Sequence, residues 1–410
     1  MQSWQRTLAF MFVAQLLSAV GFSTIFPFLP LYVESLGMAS PAAQALGLEF
    51  WVGAVFSVQG ITMMLSAPIW GALADRFGRK MMVRRAMFGG SVIILLMAFA
   101  DSVETLIILR AIQGMVTGVV AANNALVASV APRERMGYAM GMMQMGLWSG
   151  VAVGPLIGGV MADFVGFEAA FILTAVLLFL GGLLVHFGVK EYFTPRVHSH
   201  GYNFLADWQQ VMATPGVSSV YLIRFVVWLG RNVIIPFAPL FMASLLADGA
   251  RVGTFTGLMI GVASATGTGS AIYLGRLADR IGAKRVLVVS AVFAALFYLP
   301  QGFVESAWQL IVLQGLTGAA FGGIMPSLSA LLSLYTQTGE EGAVYGLDNA
   351  VMSGGRAAAP LLGAALVFTV GFRGMFVATG GMLLATALLA LWILPETHEQ
   401  TARAIAAQGD

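Results

Sequence analysis

Long apolar runs, separated by short charged or Gly/Pro-rich segments, dominate the pattern along the chain. A helix needs about 20 apolar residues to cross the hydrocarbon layer of a membrane. Twelve runs are of about that length, and we number them as spans 1 to 12: 7–33, 49–73, 82–100, 105–130, 137–162, 167–188, 218–245, 253–275, 285–303, 307–331, 342–370 and 373–394. The first run is too long for a signal-peptide core and lacks a small-residue cleavage pattern after it, so we expect it to be retained. The pattern predicts an all-α integral membrane protein with twelve transmembrane helices.

Composition supports this interpretation and removes several classes of site. Of the 410 residues, 59% are hydrophobic and 10% charged, against about 25% charged residues in an average soluble domain. The chain contains no cysteine, which excludes disulfides, thiolate metal sites and cysteine nucleophiles. A formal net charge of +2 does not point to nucleic acid, and we expect no nucleic-acid partner.

The positions of the basic residues predict the orientation in the membrane. With Met1 inside, Arg251 and Arg373 are the lysine or arginine residues that fall on outer loops, and most of the others fall on inner loops. Because positive charge accumulates on the cytoplasmic side of membrane proteins, both termini are predicted to be cytoplasmic.

The two halves of the chain resemble each other, which indicates an internal duplication. Pro-Phe-Leu-Pro-Leu at 27–31 returns as Pro-Phe-Ala-Pro-Leu at 236–240, and Leu-Ala-Asp-Arg-Phe-Gly at 73–78 returns as Leu-Ala-Asp-Arg-Ile-Gly at 277–282. Four span 5 positions return in span 11 at an offset of 205: Gly141, Gly150, Pro155 and Gly158 as Gly346, Gly355, Pro360 and Gly363. The repeat predicts two pseudo-symmetric six-helix bundles around a central cavity, at 1–188 and 218–396.

Between the bundles, residues 189–217 form a predicted cytoplasmic linker, and residues 397–410 form a cytoplasmic tail. The linker carries apolar residues at helical spacing, which indicates a short helix lying in the inner interface: Phe204, Leu205, Trp208, Val211 and Met212. His198 and His200 have no further ligand nearby, so we expect a solvated loop rather than a metal site. No cofactor is expected.

Three motifs carry a resemblance to a known family. They are the loop Gly-Ala-Leu-Ala-Asp-Arg-Phe-Gly-Arg-Lys at 71–80, Arg-Ala-Ile-Gln-Gly at 110–114, and a glycine and proline pattern in span 5. Over nearly the whole chain the sequence resembles the major facilitator superfamily and, within it, the drug:proton antiporter family with twelve spans. The resemblance implies a monomeric secondary transporter of the bacterial cytoplasmic (inner) membrane, with a small-molecule substrate, protons and the lipid bilayer as partners.

The resemblance also implies roles for the motif residues. The loop after span 2 would form a conformational latch with Asp75, Arg76, Gly78 and Arg79, and a weaker second latch with Asp279 and Arg280. The span 5 residues would form the antiporter motif, in which small residues let helix backbones approach and bend: Gly141, Gly150, Gly154, Pro155, Gly158 and Gly159. The alternatives are that Asp75 balances a positive loop and that the glycines serve ordinary packing.

Five charged residues fall within spans, where ionisable groups are candidates for function: Arg110, Arg224, Arg231, Arg356 and Asp348. Arg224 lies about 9 Å from the inner end of span 7 at 1.5 Å per residue, so a snorkelling structural role and a functional role are both open. Asp348 is the candidate proton carrier, because burial raises the pKa of a carboxyl group and a neighbouring arginine lowers it. The family motif implies Arg110 as the residue that responds to protonation.

Further polar and aromatic residues are candidates for the lining of the substrate cavity. Together with Arg231 and Arg356 these are Gln15, Gln113, Asn123, Asn232 and Trp228. Each polar residue alone is as readily explained as a helix-to-helix hydrogen bond. Span 1 lacks the midspan acid that much of the family has, which weakens the case for cationic substrates and for proton coupling.

The leading functional hypothesis is secondary active export of small amphiphilic or drug-like molecules by proton antiport, through rocker-switch alternating access. The first alternative is a dedicated exporter of an organic anion such as a siderophore or an acidic metabolite, because the embedded arginines outnumber the embedded aspartate. The second is a membrane enzyme or a transport-fold receptor. An enzyme is not expected, because no nucleophile, acid/base pair or metal constellation clusters at membrane depth.

Overall fold

The computed structural model describes residues 3–37, 41–191, 212, 216–247, 249–335 and 341–394. Within these ranges the chain consists of helices and short turns, and no strand occurs. The α-helices, with the spans they represent, are Ser3–Thr24 and Leu29–Ser35 (1), Pro41–Phe77 (2), Arg79–Met97 (3), Val103–Val116 and Val119–Val130 (4), Met136–Phe164 (5), Phe167–Gly188 (6), Val217–Val233 and Ala238–Ser244 (7), Val252–Ile281 (8), Ala283–Tyr298 (9), Ala307–Tyr335 (10) and Glu341–Ile393 (11 and 12).

These helices account for the twelve predicted spans. By length and hydropathy, nine helices in the described part of the chain can cross a membrane, or ten when the bent pair of span 7 is included. The stretch Leu347–Ile393 has 47 residues and is interrupted at Gly371, where the backbone leaves helical geometry, so it holds both spans 11 and 12. Span 3 is less apolar because its first turns carry Lys80, Arg84 and Arg85. The predicted all-α membrane fold is confirmed.

Spans 1 and 7 are both interrupted near their C-terminal ends. The short helices Leu29–Ser35 and Ala238–Ser244 each begin with a proline in the first turn, and in span 7 the two pieces meet at 41°. Proline has no N–H to donate and disfavours helical geometry in the residue before it. The duplicated Pro-Phe-x-Pro-Leu motif therefore produces the same break in both halves.

Two pairs of glycine turns carry the duplication into the backbone. Gly78 and Gly282, which begin spans 3 and 9, have φ angles of 91° and 99°. Gly166 and Gly371, which separate spans 5 and 6 and spans 11 and 12, have φ angles of 115° and 73°. Because an L side chain is strained at such angles, these four positions favour glycine, and the backbone turns at equivalent places in the two halves.

Span 4 differs from its prediction as one continuous run. It breaks after Val116, where Thr117 is extended and Gly118 is left-handed with φ of 111°. Arg85 Nη2 donates to the Thr117 carbonyl at 3.3 Å and so satisfies an oxygen that the break releases. A single glycine in an apolar run is equally compatible with close helix packing, so the sequence did not reveal the break.

The chain forms two compact units, Met1–Ser199 with Ile235–Gly261, and His200–Ile234 with Val262–Asp410. Inside the first unit span 1 packs on spans 5 and 6, span 2 on span 4, and span 3 on span 6. Inside the second, span 7 packs on span 11, and span 9 on spans 10 and 12. The C-terminal end of span 7 and the N-terminal third of span 8 thus belong to the first unit, which a division at the linker does not anticipate. The predicted domain boundaries stay a prediction.

Large apolar side chains cover the outside of the helices. Phe368, Trp392 and Phe187 are 84%, 88% and 77% exposed. Exposure on this scale is unusual for a soluble protein but is expected for residues that face lipid. The predicted interfacial helix, His198, His200 and the tail 397–410 lie outside the described residues, apart from Met212 at the end of that helix.

Candidate functional site

Span 7 and the first half of span 11 meet at a buried ion pair. Arg224 Nε lies 2.6 Å from Asp348 Oδ1, and the two side chains are 8% and 7% exposed. The angle at this contact falls outside hydrogen-bond geometry, so the attraction is Coulombic. Because a buried charge is strongly disfavoured without a partner, each residue depends on the charge of the other.

Neighbouring residues hold this pair between three helices. Tyr221, one turn before Arg224, donates its hydroxyl to the carbonyl of Val344 at 2.9 Å, one turn before Asp348. Arg224 Nη1 also donates to Ser329 Oγ of span 10 at 3.4 Å. The sequence predicted Asp348 as the proton carrier and Arg224 as an embedded charge whose role was open, whereas Tyr221 was not predicted. Tyr221 and Arg224 are three residues apart, and Val344 and Asp348 are four apart, so each pair lies on one face of its helix. This spacing is the sequence feature from which the site could have been predicted.

Arg110 is buried in span 4 of the first unit and is held by neutral groups. Its Nε donates to the Val55 carbonyl at 3.2 Å, its Nη1 donates to Gln113 Oε1 at 2.8 Å, and its guanidinium lies 5.5 Å from the centre of the Phe56 ring. Gly114 makes this possible, because a Cβ there would overlap span 2 at Gln59. The role of Arg110 as the residue that responds to protonation stays a prediction, and the partner that the structure gives Asp348 is Arg224.

Arg231 and Arg356 converge on one aromatic side chain in the second unit. The guanidinium carbon of Arg356 lies 4.6 Å from the centre of the Trp228 ring, and that of Arg231 lies 5.9 Å from Trp228 and 5.6 Å from Phe321. Trp228 is 8% exposed, and no acceptor among the described residues reaches its Nε1. Two cations and an indole N–H therefore lie close together in this unit, and their assignment to the substrate cavity stays a prediction.

The amide side chains assigned to the cavity occupy two different settings. Asn123 Nδ2 donates to Gln15 Oε1 between spans 4 and 1, and both side chains are fully buried. Gln15 Nε2, Asn123 Oδ1 and Gln113 Nε2 have no hydrogen-bond partner among the described residues. Asn232 instead donates to the carbonyl of Trp228 in its own helix at 2.7 Å. The buried amides of the first unit are thus the ones with unused hydrogen-bonding capacity.

The antiporter motif divides span 5 into two contact faces. Gly150, Gly154 and Gly158 follow one another at intervals of four, and a Cβ on any of them would overlap span 1 at Ala19, Ser23 or Thr24. The adjacent face carries Pro155 and Gly159, which touch the backbone of span 8 at Gly257 and Gly253. Gly141 has open space around it. The glycines therefore serve backbone-to-backbone packing on both faces, except at Gly141.

The C-terminal end of the loop after span 2 is held by Glu191, which follows span 6. The backbone N–H groups of Arg79 and Lys80 donate to Glu191 at 2.9 and 2.8 Å, so this carboxylate caps span 3. Arg76 is exposed beside Phe77, and the Asp75 side chain lies outside the described part of the structure. In the second half, Asp279 and Arg280 are exposed. The two latches remain predictions, and the capping role of Glu191 was not predicted from the sequence.

Comparison with known proteins identifies the same family as the sequence motifs. A sequence profile of the Major Facilitator Superfamily matches residues 11–215 and 220–409. The chain is 34% identical to multidrug resistance protein MdtG of Salmonella typhimurium strain LT2 over 387 residues, which is 94% of this chain and 95% of that protein. The matched region therefore spans nearly the whole length of both proteins.

Solved structures support the same fold at lower identity. A bacterial homologue of the human lysosomal transporter Spinster superposes with a TM-score of 0.79 at 13% identity, covering 98% of each chain. The human organic anion transporter MFSD10 (TETRAN) superposes with a TM-score of 0.68 at 20% identity, covering 95% of this chain and all of that one. At these identities the likeness concerns the fold alone.

Proposed function

Because the chain belongs to the major facilitator superfamily, whose members are transporters and not enzymes, we propose that it exports small amphiphilic or drug-like molecules by proton antiport, through alternating access. Its similarity to multidrug resistance protein MdtG supports efflux, and the asymmetry of basic residues supports cytoplasmic termini. The observation that carries proton coupling is the ion pair between Arg224 and Asp348.

The pair is suited to coupling because protonation of Asp348 changes what Arg224 requires. With Asp348 ionised, the two charges hold spans 7 and 11 together at this depth. With Asp348 protonated, Arg224 becomes a buried charge without a counterion, which favours an arrangement that opens it to water or to an anionic group. A proton taken up on one side of the membrane therefore favours one conformation and, after the change in access, leaves on the other side.

Transport in sealed proteoliposomes with an imposed pH gradient tests this function. The purified protein should accumulate a fluorescent amphiphile only when the gradient has the direction that drives exchange, and the substrate flux should be matched by proton movement in the opposite direction. Accumulation of the same size without a gradient would reject proton antiport. Proteoliposomes that contain the Asp348→Asn, Arg224→Gln variant provide a matched control, because this change removes both charges together.

A second candidate, export of an organic anion, is favoured by the cluster of Arg231, Arg356 and Trp228. A carboxylate or another acidic group would accept hydrogen bonds from the guanidinium groups and from Trp228 Nε1, while an apolar body would contact the aromatic rings. This arrangement favours anionic or zwitterionic amphiphiles over permanent cations.

Three substrates that share one apolar body and differ in a single group decide between these candidates. An acid should be transported better than a neutral analogue, and the neutral analogue better than an amine. Arg231→Gln and Arg356→Gln should each remove most of the preference for the acid. A preference for the amine that survives both changes would reject the anion hypothesis and leave the export of cationic drugs.

A further inference from the structure

Asp163 joins the outer end of span 5 to the first turn of span 8, inside the first compact unit. Its Oδ1 accepts a hydrogen bond from the Gly253 backbone N–H at 3.0 Å. Its Oδ2 accepts from the Thr254 N–H at 2.6 Å and from Thr254 Oγ1 at 2.7 Å. The helix begins at Val252, so the carboxylate lies at its positive end and satisfies two N–H groups that have no partner within the helix.

Glycines on both helices allow the backbones to approach closely at this contact. Gly159 and Asp163, four residues apart, lie on one face of span 5, and a Cβ on Gly159 would overlap the carbonyl of Gly253. On span 8, Gly253, Thr256 and Gly257 share a face and are all buried. Because the backbones touch without side chains between them, a short carboxylate reaches both N–H groups directly.

A cation–π contact lies beside the hydrogen bonds of Asp163. The guanidinium carbon of Arg251, just before span 8, lies 4.1 Å from the centre of the Phe164 ring at the end of span 5. Cation–π contacts of this kind contribute less than a charged hydrogen bond. Asp163 is therefore the main polar attachment at this point.

Span 5 belongs to the first sequence repeat and span 8 to the second, so Asp163 connects the two repeats at the outer side. Alternating access requires the repeats to separate there in part of the cycle. We propose that Asp163 is an outer gate residue whose three hydrogen bonds hold the substrate path shut on the outer side and are released each time the path opens outwards. The proposal rests on the alternating access of the proposed function but not on its proton coupling.

The duplication did not reproduce this gate. The residue 205 positions after Asp163 is Phe368, and its side chain is 84% exposed. The outer gate thus depends on one carboxylate in the first repeat, so a single substitution tests it.

Labelling of one introduced cysteine measures opening of the gate, since the chain has none of its own. Thr256 is fully buried and shares the face that packs on span 5, so Thr256→Cys should react slowly with a membrane-impermeant maleimide added from outside. In this background, Asp163→Asn should raise the labelling rate about tenfold, because an amide has one acceptor oxygen and no charge; a factor of ten corresponds to about 1.4 kcal/mol. An unchanged rate would overturn the proposal.

Matched variants separate the gate from general weakening of the fold. Thr254→Val removes one of the three hydrogen bonds and should raise labelling less than Asp163→Asn, whereas Thr254→Ser should keep the rate of the background. Asp101→Asn changes an acid on an outer loop that bonds Thr105 of its own repeat, and it should have no effect. A purely structural role for Asp163 predicts a lower midpoint of thermal unfolding with no change in labelling.

The same measurement distinguishes this proposal from the proposed function. Labelling needs neither a substrate nor a pH gradient, so faster labelling of Asp163→Asn would stand even if proton exchange were absent. If Asp163→Asn does not fold, the comparison of Thr254→Val with Thr254→Ser still decides, because equal rates in these two would also reject the gate.

Discussion

The two halves of this chain share a duplicated order of helices, but their embedded arginines have different partners. In the first half, Arg110 is held by a carbonyl and an amide, and in the second, Arg224 is held by the carboxylate of Asp348. The position 205 residues before Asp348 is Met143, so the acid has no counterpart in the first repeat. The duplication therefore preserved the proline breaks of spans 1 and 7 and the glycine turns, while the break in span 4 and the embedded charges differ between the halves.

This difference predicts a division of labour between the halves. The neutral partners of Arg110 do not titrate near neutral pH, so its surroundings keep the same charge throughout a transport cycle. Asp348 can exchange a proton, and its ionisation decides whether Arg224 has a counterion. Sensitivity to protons should accordingly reside in the second half, and the first half should respond to mutation mainly through stability and packing.

The largest effect is expected from Asp348→Asn. The amide cannot carry a proton and leaves Arg224 unpaired, so gradient-driven transport should be lost and stability should fall by about 3–5 kcal/mol, the usual effect of removing one partner of a buried pair. Adding Arg224→Gln should restore most of the stability but not the transport. Thermal unfolding in detergent and vesicle uptake measure the two effects. Gradient dependence that survives in the double variant would locate the proton site elsewhere.

The second effect concerns two glycines at equivalent positions of the repeats. Gly150 lies where span 5 packs on span 1, and Gly355 lies where span 11 packs on span 7. Gly150→Ala should destabilise the protein by about 1–3 kcal/mol, because the new Cβ would overlap Ala19 and the backbone of span 1. The equivalent Gly355→Ala meets the Trp228 Cβ at 3.0 Å and should be milder. Denaturation midpoints of both variants, with Gly141→Ala as the uncrowded control, measure the contrast. Equal losses at Gly150 and Gly355 would mean that both interfaces pack equally closely.

A third prediction tests the neutral charge site of the first half. Gln113→Ala removes the acceptor of an Arg110 hydrogen bond and should reduce stability by about 1.5–3 kcal/mol, as for hydrogen bonds to charged groups. The ratio of transport with a pH gradient to transport without it should not change. Gln144→Ala, at an exposed position of span 5, is the control. A changed ratio in Gln113→Ala would show that the first half takes part in proton coupling.

The smallest effect is expected at the two inner latches. Asp75→Asn should shift the protein towards the inward-open conformation by about 0.3–1 kcal/mol, the usual contribution of a carboxylate near a helix N-terminus, and Asp279→Asn should shift it less. Crosslinking of cysteine pairs introduced at the cytoplasmic mouth measures the populations. If Asp279→Asn has the greater effect, the assignment of the stronger latch to the first repeat is wrong.

Local sequence features predicted most of the fold and part of the site. Apolar runs located the spans and the short boundaries between them near Gly166 and Gly371. The breaks at Pro30 and Pro239 inside spans 1 and 7 were not predicted, although the repeated proline motif marked their positions. The break at Gly118 was missed because one glycine in an apolar run has the same appearance whether it bends a helix or packs against one. Asp348 was identified as a candidate from its membrane depth alone, because a carboxylate there is rare whatever surrounds it.

The sequence by itself determined which residues lie in the membrane and which charges are embedded, because these depend on apolar length and on the cost of a charge in lipid. Only the tertiary structure decided which groups those charges meet. Arg224 reaches Asp348, and Asp163 reaches Gly253, across more than 80 residues of chain, and such contacts depend on how helices rotate and approach one another. That arrangement is set by packing over whole helix faces, which no local pattern specifies.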